Sequence, residues 1–144
     1  MNCLKLYQNV SSTYCRHIST TSCLEHLQKM SRVKVVDNSM IGRQSVIKGK
    51  RPRIIHVYTS KKPQVGLLGD RVLIAIMGEK KHAYIVGCVE KQKANVPRFD
   101  TNNVVLVEDT GIPTGTRVLV PIPSCLRGKE GDFTKILSIA TKFV

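Results

Sequence analysis

The chain has 144 residues, enough for one domain with a substantial core and short for two. Its 23 Lys and Arg against 10 Asp and Glu leave a formal net charge of +13, a field that favours polyanions, nucleic acid first among them. No apolar run reaches the roughly 18 residues of a membrane-spanning helix, no CxxC or His pair sits at zinc spacing, and the absence of Trp counts against a surface that stacks many bases.

Met1 to Ser22 holds Lys5 and Arg16 but no acid, and is rich in Ser and Thr, the composition of a mitochondrial transit peptide. Arg16-His17-Ile18-Ser19 resembles an arginine-directed processing site. Residues 1–30 are therefore read as a leader and 31–144 as one domain, with an uncleaved tail as the alternative. Cys3, Cys15 and Cys23 fall in the leader. Cys88 and Cys125, in the body, are expected to pack as small apolar residues in a reducing compartment.

Residues 31–36 alternate polar and apolar, which predicts a half-buried strand with Arg32 and Lys34 on its wet face. Asp37-Asn38-Ser39 ends it as a turn whose side chains bond nearby amides. Residues 42–53 read as an irregular basic loop carrying Arg43, Lys48, Lys50, Arg51 and Arg53 with no acid between them. Like charges this dense repel one another, and phosphates offset the repulsion. A strand over 54–58 leads to a polar turn with Lys61 and Lys62, then to the nearly all-apolar, central strand 71–77. Residues 78–82 are expected as a basic hairpin tip with Lys80, Lys81 and an exposed His82, and 83–89 as the returning strand.

Lys91 and Lys93 follow in a polar connection that ends at Arg98. Val104-Val105-Leu106-Val107 has the unbroken β-branched pattern of a strand covered on both faces. After a turn over 108–115, a strand is expected with Val118, Val120 and Ile122 on one side and Arg117 outward. Ser124 is a candidate N-cap for a short helical turn containing Arg127, which the Gly128-Lys129-Glu130-Gly131 stretch breaks. Asp132 would cap a helix over 133–140, with Phe133, Ile136, Leu137 and Ala140 on one face and Lys135 outward.

Several short strands with one small terminal helix predict a mainly β protein, a compact β-barrel. No paired-carboxylate pocket, nucleophile elbow or phosphate-cradling GxxxxGK[ST] is present, so an enzyme is not expected. Two non-enzymatic classes remain: a structural protein of a ribonucleoprotein, and a free nucleic-acid-binding barrel.

Arg98-Phe99-Asp100, Asn103-Val104-Val105-Leu106, Gly115-Thr116-Arg117 and Pro121 resemble, in order, the signature of the large-subunit ribosomal protein 14 family, in its mitochondrial branch. Val35-Val36-Asp37-Asn38-Ser39, Val65-Gly66 with Gly69-Asp70, and Phe133 to Ala140 extend the likeness from about residue 30 to the C-terminus. The resemblance implies a five-stranded barrel with an extra β-ribbon and a short C-terminal helical segment. It implies a structural constituent of the mitochondrial large ribosomal subunit, in the matrix, with no cofactor, no metal and no membrane partner. Its rRNA contacts would come from the basic residues named above, from Arg32 through Arg98. The family sits at the subunit interface, bridging to small-subunit rRNA and touching neighbouring large-subunit proteins, which here would involve Arg127 and Lys129. It also docks a ribosome-silencing factor, for which Thr116, Arg117 and Lys135 are the matching positions. The connection after residue 89 is shorter than in the bacterial relatives, which removes part of their basic hairpin.

Overall fold

The computed structural model describes residues 27–60, 64–90, 94–129 and 133–144. Its centre is a hairpin. In β3 (Arg71–Ile76) the apolar residues Val72, Ile74 and Ile76 alternate into the core, and β4 (Glu79–Gly87) returns alongside. The turn needs positive φ twice: Met77 adopts 52° and Gly78 92°, the sense of twist that suits a two-residue hairpin connection. Glycine takes that conformation without a Cβ penalty, and Met77 has to be held there by the strands on either side. The turn is thus tighter than the basic tip expected over 78–82, and Glu79, Lys80, Lys81 and His82 are strand residues.

The sheet has five strands in the order β1-β5-β4-β3-β2, with β1 (Lys34–Val35) parallel to β5 (Asn103–Val107) and the other pairs antiparallel. Its other edge is β2 (Arg53–Tyr58). The named strands do not close into the expected barrel, because β1 and β2 share no ladder. Between these edges run three backbone hydrogen bonds: Met30 N to Ile54 O, Ile54 N to Ser31 O, and Val33 N to Pro52 O. An Arg32–Arg53 bridge accompanies them. Pro52 cannot donate, which limits the pairing there. No extra ribbon is found among the described residues between β4 and β5.

The expectation for 104–107 holds: every residue of β5 is buried. Val104 and Leu106 face a core with Val35, Ile54, Val72, Ile74 and Ile85, whereas Val105 and Val107 face a second core with Val118, Ile122, Leu126, Phe133 and Ile136. Leu27 already belongs to the first core and exchanges backbone hydrogen bonds with Gly66.

The second core is roofed by the C-terminal third of the chain. The strand expected over 116–122 is reduced to single bridges, Asp37–Val118, Val118–Ala140 and Ile122–Phe143, since Pro121 and Pro123 offer no amide to a ladder. Val118 and Ile122 are buried, but Val120 only partly. Ser124 does not cap the next turn; it is the first residue of a 3-10 helix, Ser124–Gly128, with Pro123 at the cap position. The last helix, Phe133–Ser138, is shorter than expected and buries Phe133 and Ile136, with Leu137 half-buried. The proposed cap Asp132 lies outside the described residues.

The largest departure is at 42–47, the first half of the stretch read as loop, which lies in helix α1 (Met40–Ile47). Ser39 caps it, its Oγ accepting from the Gly42 amide at 3.2 Å. Among the described residues no helix is long and apolar enough to cross a membrane.

Candidate nucleic-acid interface

Sheet register assembles cations that are far apart in sequence. Arg32 bridges to Arg53, Arg53 pairs with Ala75, and Ala75 pairs with Lys80. Residues directly opposite across a sheet share a face. Arg32, Arg53 and Lys80 therefore stand in one exposed row around the small Ala75. The row opens onto a cleft of about 540 Å³ lined by Arg32, Gly49, Lys50, Arg51, Arg53 and Ala75. A second cleft of about 390 Å³ shares Gly49 and Arg51 with it and adds Lys34, Ser45 and Thr101. Among the described residues no carboxylate lines either cleft. Lys48, the C-cap of α1, is exposed just before them. Cations gathered without counter-charges are poised for an external polyanion.

The remaining expected RNA contacts separate from this face to different degrees. Lys81 points to the side opposite Lys80, opposite Ile74, and pairs with Glu79 at 3.7 Å. Arg98 is exposed in the coil before β5. Lys61, Lys62, Lys91 and Lys93 lie outside the described residues. Arg43, at the start of α1, is turned toward the C-terminal layer: its Nη2 donates to Asn38 Oδ1, and Asn38 Nδ2 donates to Thr116 Oγ1 at 3.3 Å. Asn38 thus ties an expected RNA residue to an expected protein-docking one.

Arg117 is exposed, as its place outside the Val118/Ile122 set required, and Lys135 is exposed on the last helix. Both belong to one layer, since the Val118 amide donates to Ile139 O and Thr141 Oγ1 donates to Val118 O. The residues expected at the subunit interface have partners within the chain. The Arg127 guanidinium stands 4.0 Å from the centre of the Phe143 ring. Lys129 Nζ donates to Leu68 O at 2.7 Å and lies 3.9 Å from Asp70 Oδ1.

Buried polar groups here hold loops together. Asp37 is buried beneath α1, with Oδ1 accepting from Ser39 Oγ at 2.6 Å and Oδ2 accepting from the Leu106 amide at 3.1 Å. Burial holds its carboxyl above the usual carboxylate range, against the lowering effect of those bonds. His82, expected exposed, is half-buried in β4, with Nε2 3.2 Å from Asp109 Oδ1 and its ring 5.4 Å from that of Tyr58. Cys88 packs in the first core, its thiol pushed up to about 12 by burial and then by Glu90 and Asp70, whereas Cys125 is exposed, contrary to expectation. No group of three His, Cys, Asp or Glu side chains among the described residues is placed to hold a metal ion. Sequence reading missed Gly49, Ala75 and Thr101 as lining; only the clustered charge of 48–53 pointed to the region.

Two hydrophobic cores under a cation-rich face, with the buried carboxylate committed to loop contacts, are the build of a basic structural protein. Residues 26–144 match the family model described as ribosomal protein L14p/L23e, and the chain belongs to that family. It is similar to the Danio rerio protein described as large ribosomal subunit protein uL14m, 50% identical over 129 residues that span 90% of this chain and 89% of the relative. The family is one of ribosomal proteins and not of enzymes.

Proposed function

We propose that this chain is a structural constituent of the mitochondrial large ribosomal subunit, in the matrix, and that the face formed by β1, α1 and the start of β2 neutralises rRNA phosphates. The convergence of Arg32, Lys50, Arg51 and Arg53 on one cleft with no carboxylate among its described lining residues carries this reading. Contacts of this kind position a protein on RNA without reading its bases. The bonds between 30–33 and 52–54 support reading the open sheet as a barrel drawn together at this face. Sedimentation tests the assignment: tagged chain expressed in mitochondria travels with the large subunit, and a chain that stays at the top of the gradient is a free binder instead.

The exposed residues Thr116, Arg117 and Lys135 support docking of a ribosome-silencing factor on the C-terminal layer, near the contact with the small subunit. Arg117→Ala with Lys135→Ala is expected to leave incorporation into the large subunit intact and to abolish factor pull-down. Failed incorporation with pull-down intact refutes the docking. The partners of Arg127 and Lys129 within the chain suit them to shaping that surface as much as to crossing it.

A further inference from the structure

Of the larger apolar side chains of α1, Ile41 packs half-buried against the first core, whereas Met40, Val46 and Ile47 are exposed. Gly42 and Ser45 are the buried residues of the helix, and a Cβ on Gly42 would stand 2.7 Å from Val35 Cγ1 in β1. This close approach through small residues leaves Val46 58% and Ile47 83% exposed, and Leu119 is 60% exposed nearby. These three help to line a groove of about 370 Å³ between α1 and residues 119–120, floored by Val35 and Val36. Exposed apolar side chains scattered singly need no explanation, but several converging on one concavity mark an interaction site.

The charge around the groove is one-sided. Lys34 and Arg43 line it, and the one carboxylate among its described lining residues, Asp37, is buried with its oxygens accepting from Ser39 and Leu106. Asn38 orients the Arg43 guanidinium through one of its N–H groups. We infer that this groove docks an acidic, amphipathic segment of a partner protein. Apolar side chains of the segment cover Val46, Ile47 and Leu119, and its carboxylates meet Lys34 and Arg43. RNA is the poorer occupant: no aromatic ring is among the groove's described lining residues for a base to stack on, and phosphates gain nothing from an apolar floor. None of Thr116, Arg117 and Lys135 lines the groove, so the inference stands apart from silencing-factor docking.

The test uses the full chain with p-benzoylphenylalanine in place of Ile47, assembled into large subunits in mitochondria and irradiated after purification. The expected product is a crosslink to a protein segment whose sequence alternates apolar and acidic residues. Adding Leu119→Glu is expected to lower its yield roughly tenfold, as removal of a central apolar anchor does at interfaces. The variant should still sediment with the large subunit; Leu119→Gln replaces it if it does not. A crosslink to rRNA or to a segment without carboxylates, no crosslink, or a yield unmoved by the substitution at Leu119 overturns the proposal.

Discussion

Asp37 makes three connections with one side chain. It accepts from Ser39 Oγ and the Ser39 amide at the start of α1, and from the Leu106 amide in the middle of β5. An amide in its place cannot accept on both sides, because its nitrogen must then face a donor. Asp37→Asn is therefore expected to cost about 1–3 kcal/mol, the penalty of leaving a buried donor unmatched, measurable by urea unfolding. The pH dependence has a definite sign. Burial raises the folded-state carboxyl above its ordinary 3.8, so the native state holds the proton more tightly than the unfolded chain. Stability contributed by this group is complete below 3.8 and declines as pH rises through the folded value. The difference between wild type and Asp37→Asn should consequently shrink from acid to neutral pH; a gap that widens would contradict it.

At the scale of elements, α1 depends on the absence of a side chain. A Cβ on Gly42 would meet Val35 Cγ1 at 2.7 Å and Ser39 Oγ at 2.8 Å, a core residue and the helix cap together. Gly42→Ala favours the helix by propensity, but overpacking is expected to win and to destabilise the domain by about 1–3 kcal/mol. A thermal melt that rises with this substitution would mean that α1 is free to lift from β1. The segment that follows α1 carries the electrostatic prediction. Replacing Lys50, Arg51 and Arg53 with Gln is expected to weaken binding to large-subunit rRNA and to flatten its salt dependence by about 0.9 for each phosphate no longer neutralised. Filter binding across a salt series reads both, and an unaltered slope would make these residues a merely solvated face.

Across the whole molecule, the start of the mature chain is constrained by packing. Leu27 is 4% exposed in the first core, its amide donates to Gly66 O at 2.9 Å and its carbonyl accepts from Gly66 N at 2.7 Å. Removal beyond this point would open a cavity in the first core, at a cost of about 2–5 kcal/mol for a missing leucine side chain. Cleavage directed by the arginine motif is thus expected between Ile18 and Leu27. N-terminal peptide mapping of protein from mitochondria checks this, and abundant peptides beginning at Met1 or after Leu27 would refute it.

What the sequence determined by itself was whatever local periodicity and composition carry. The unbroken β-branched run Val104 to Val107 had the pattern of a strand covered on both sides, and the nearly all-apolar 71–77 that of a strand inside the sheet. The excess of 13 positive charges pointed to a polyanionic partner as an expectation. Tertiary structure decided the rest. Residues 42–47 looked like loop because Gly42, Gly49 and Pro52 break up the basic stretch 42–53; the capping Ser39 and the close seat of Gly42 on Val35 stabilise the helix through contacts beyond its own sequence. The row of Arg32, Arg53 and Lys80 exists only through strand register, where a slip of one residue would send each cation to the other face. The partners of Arg127 and Lys129, Phe143 and the turn at 68–70, are far from them in sequence, and no local pattern encodes their meeting.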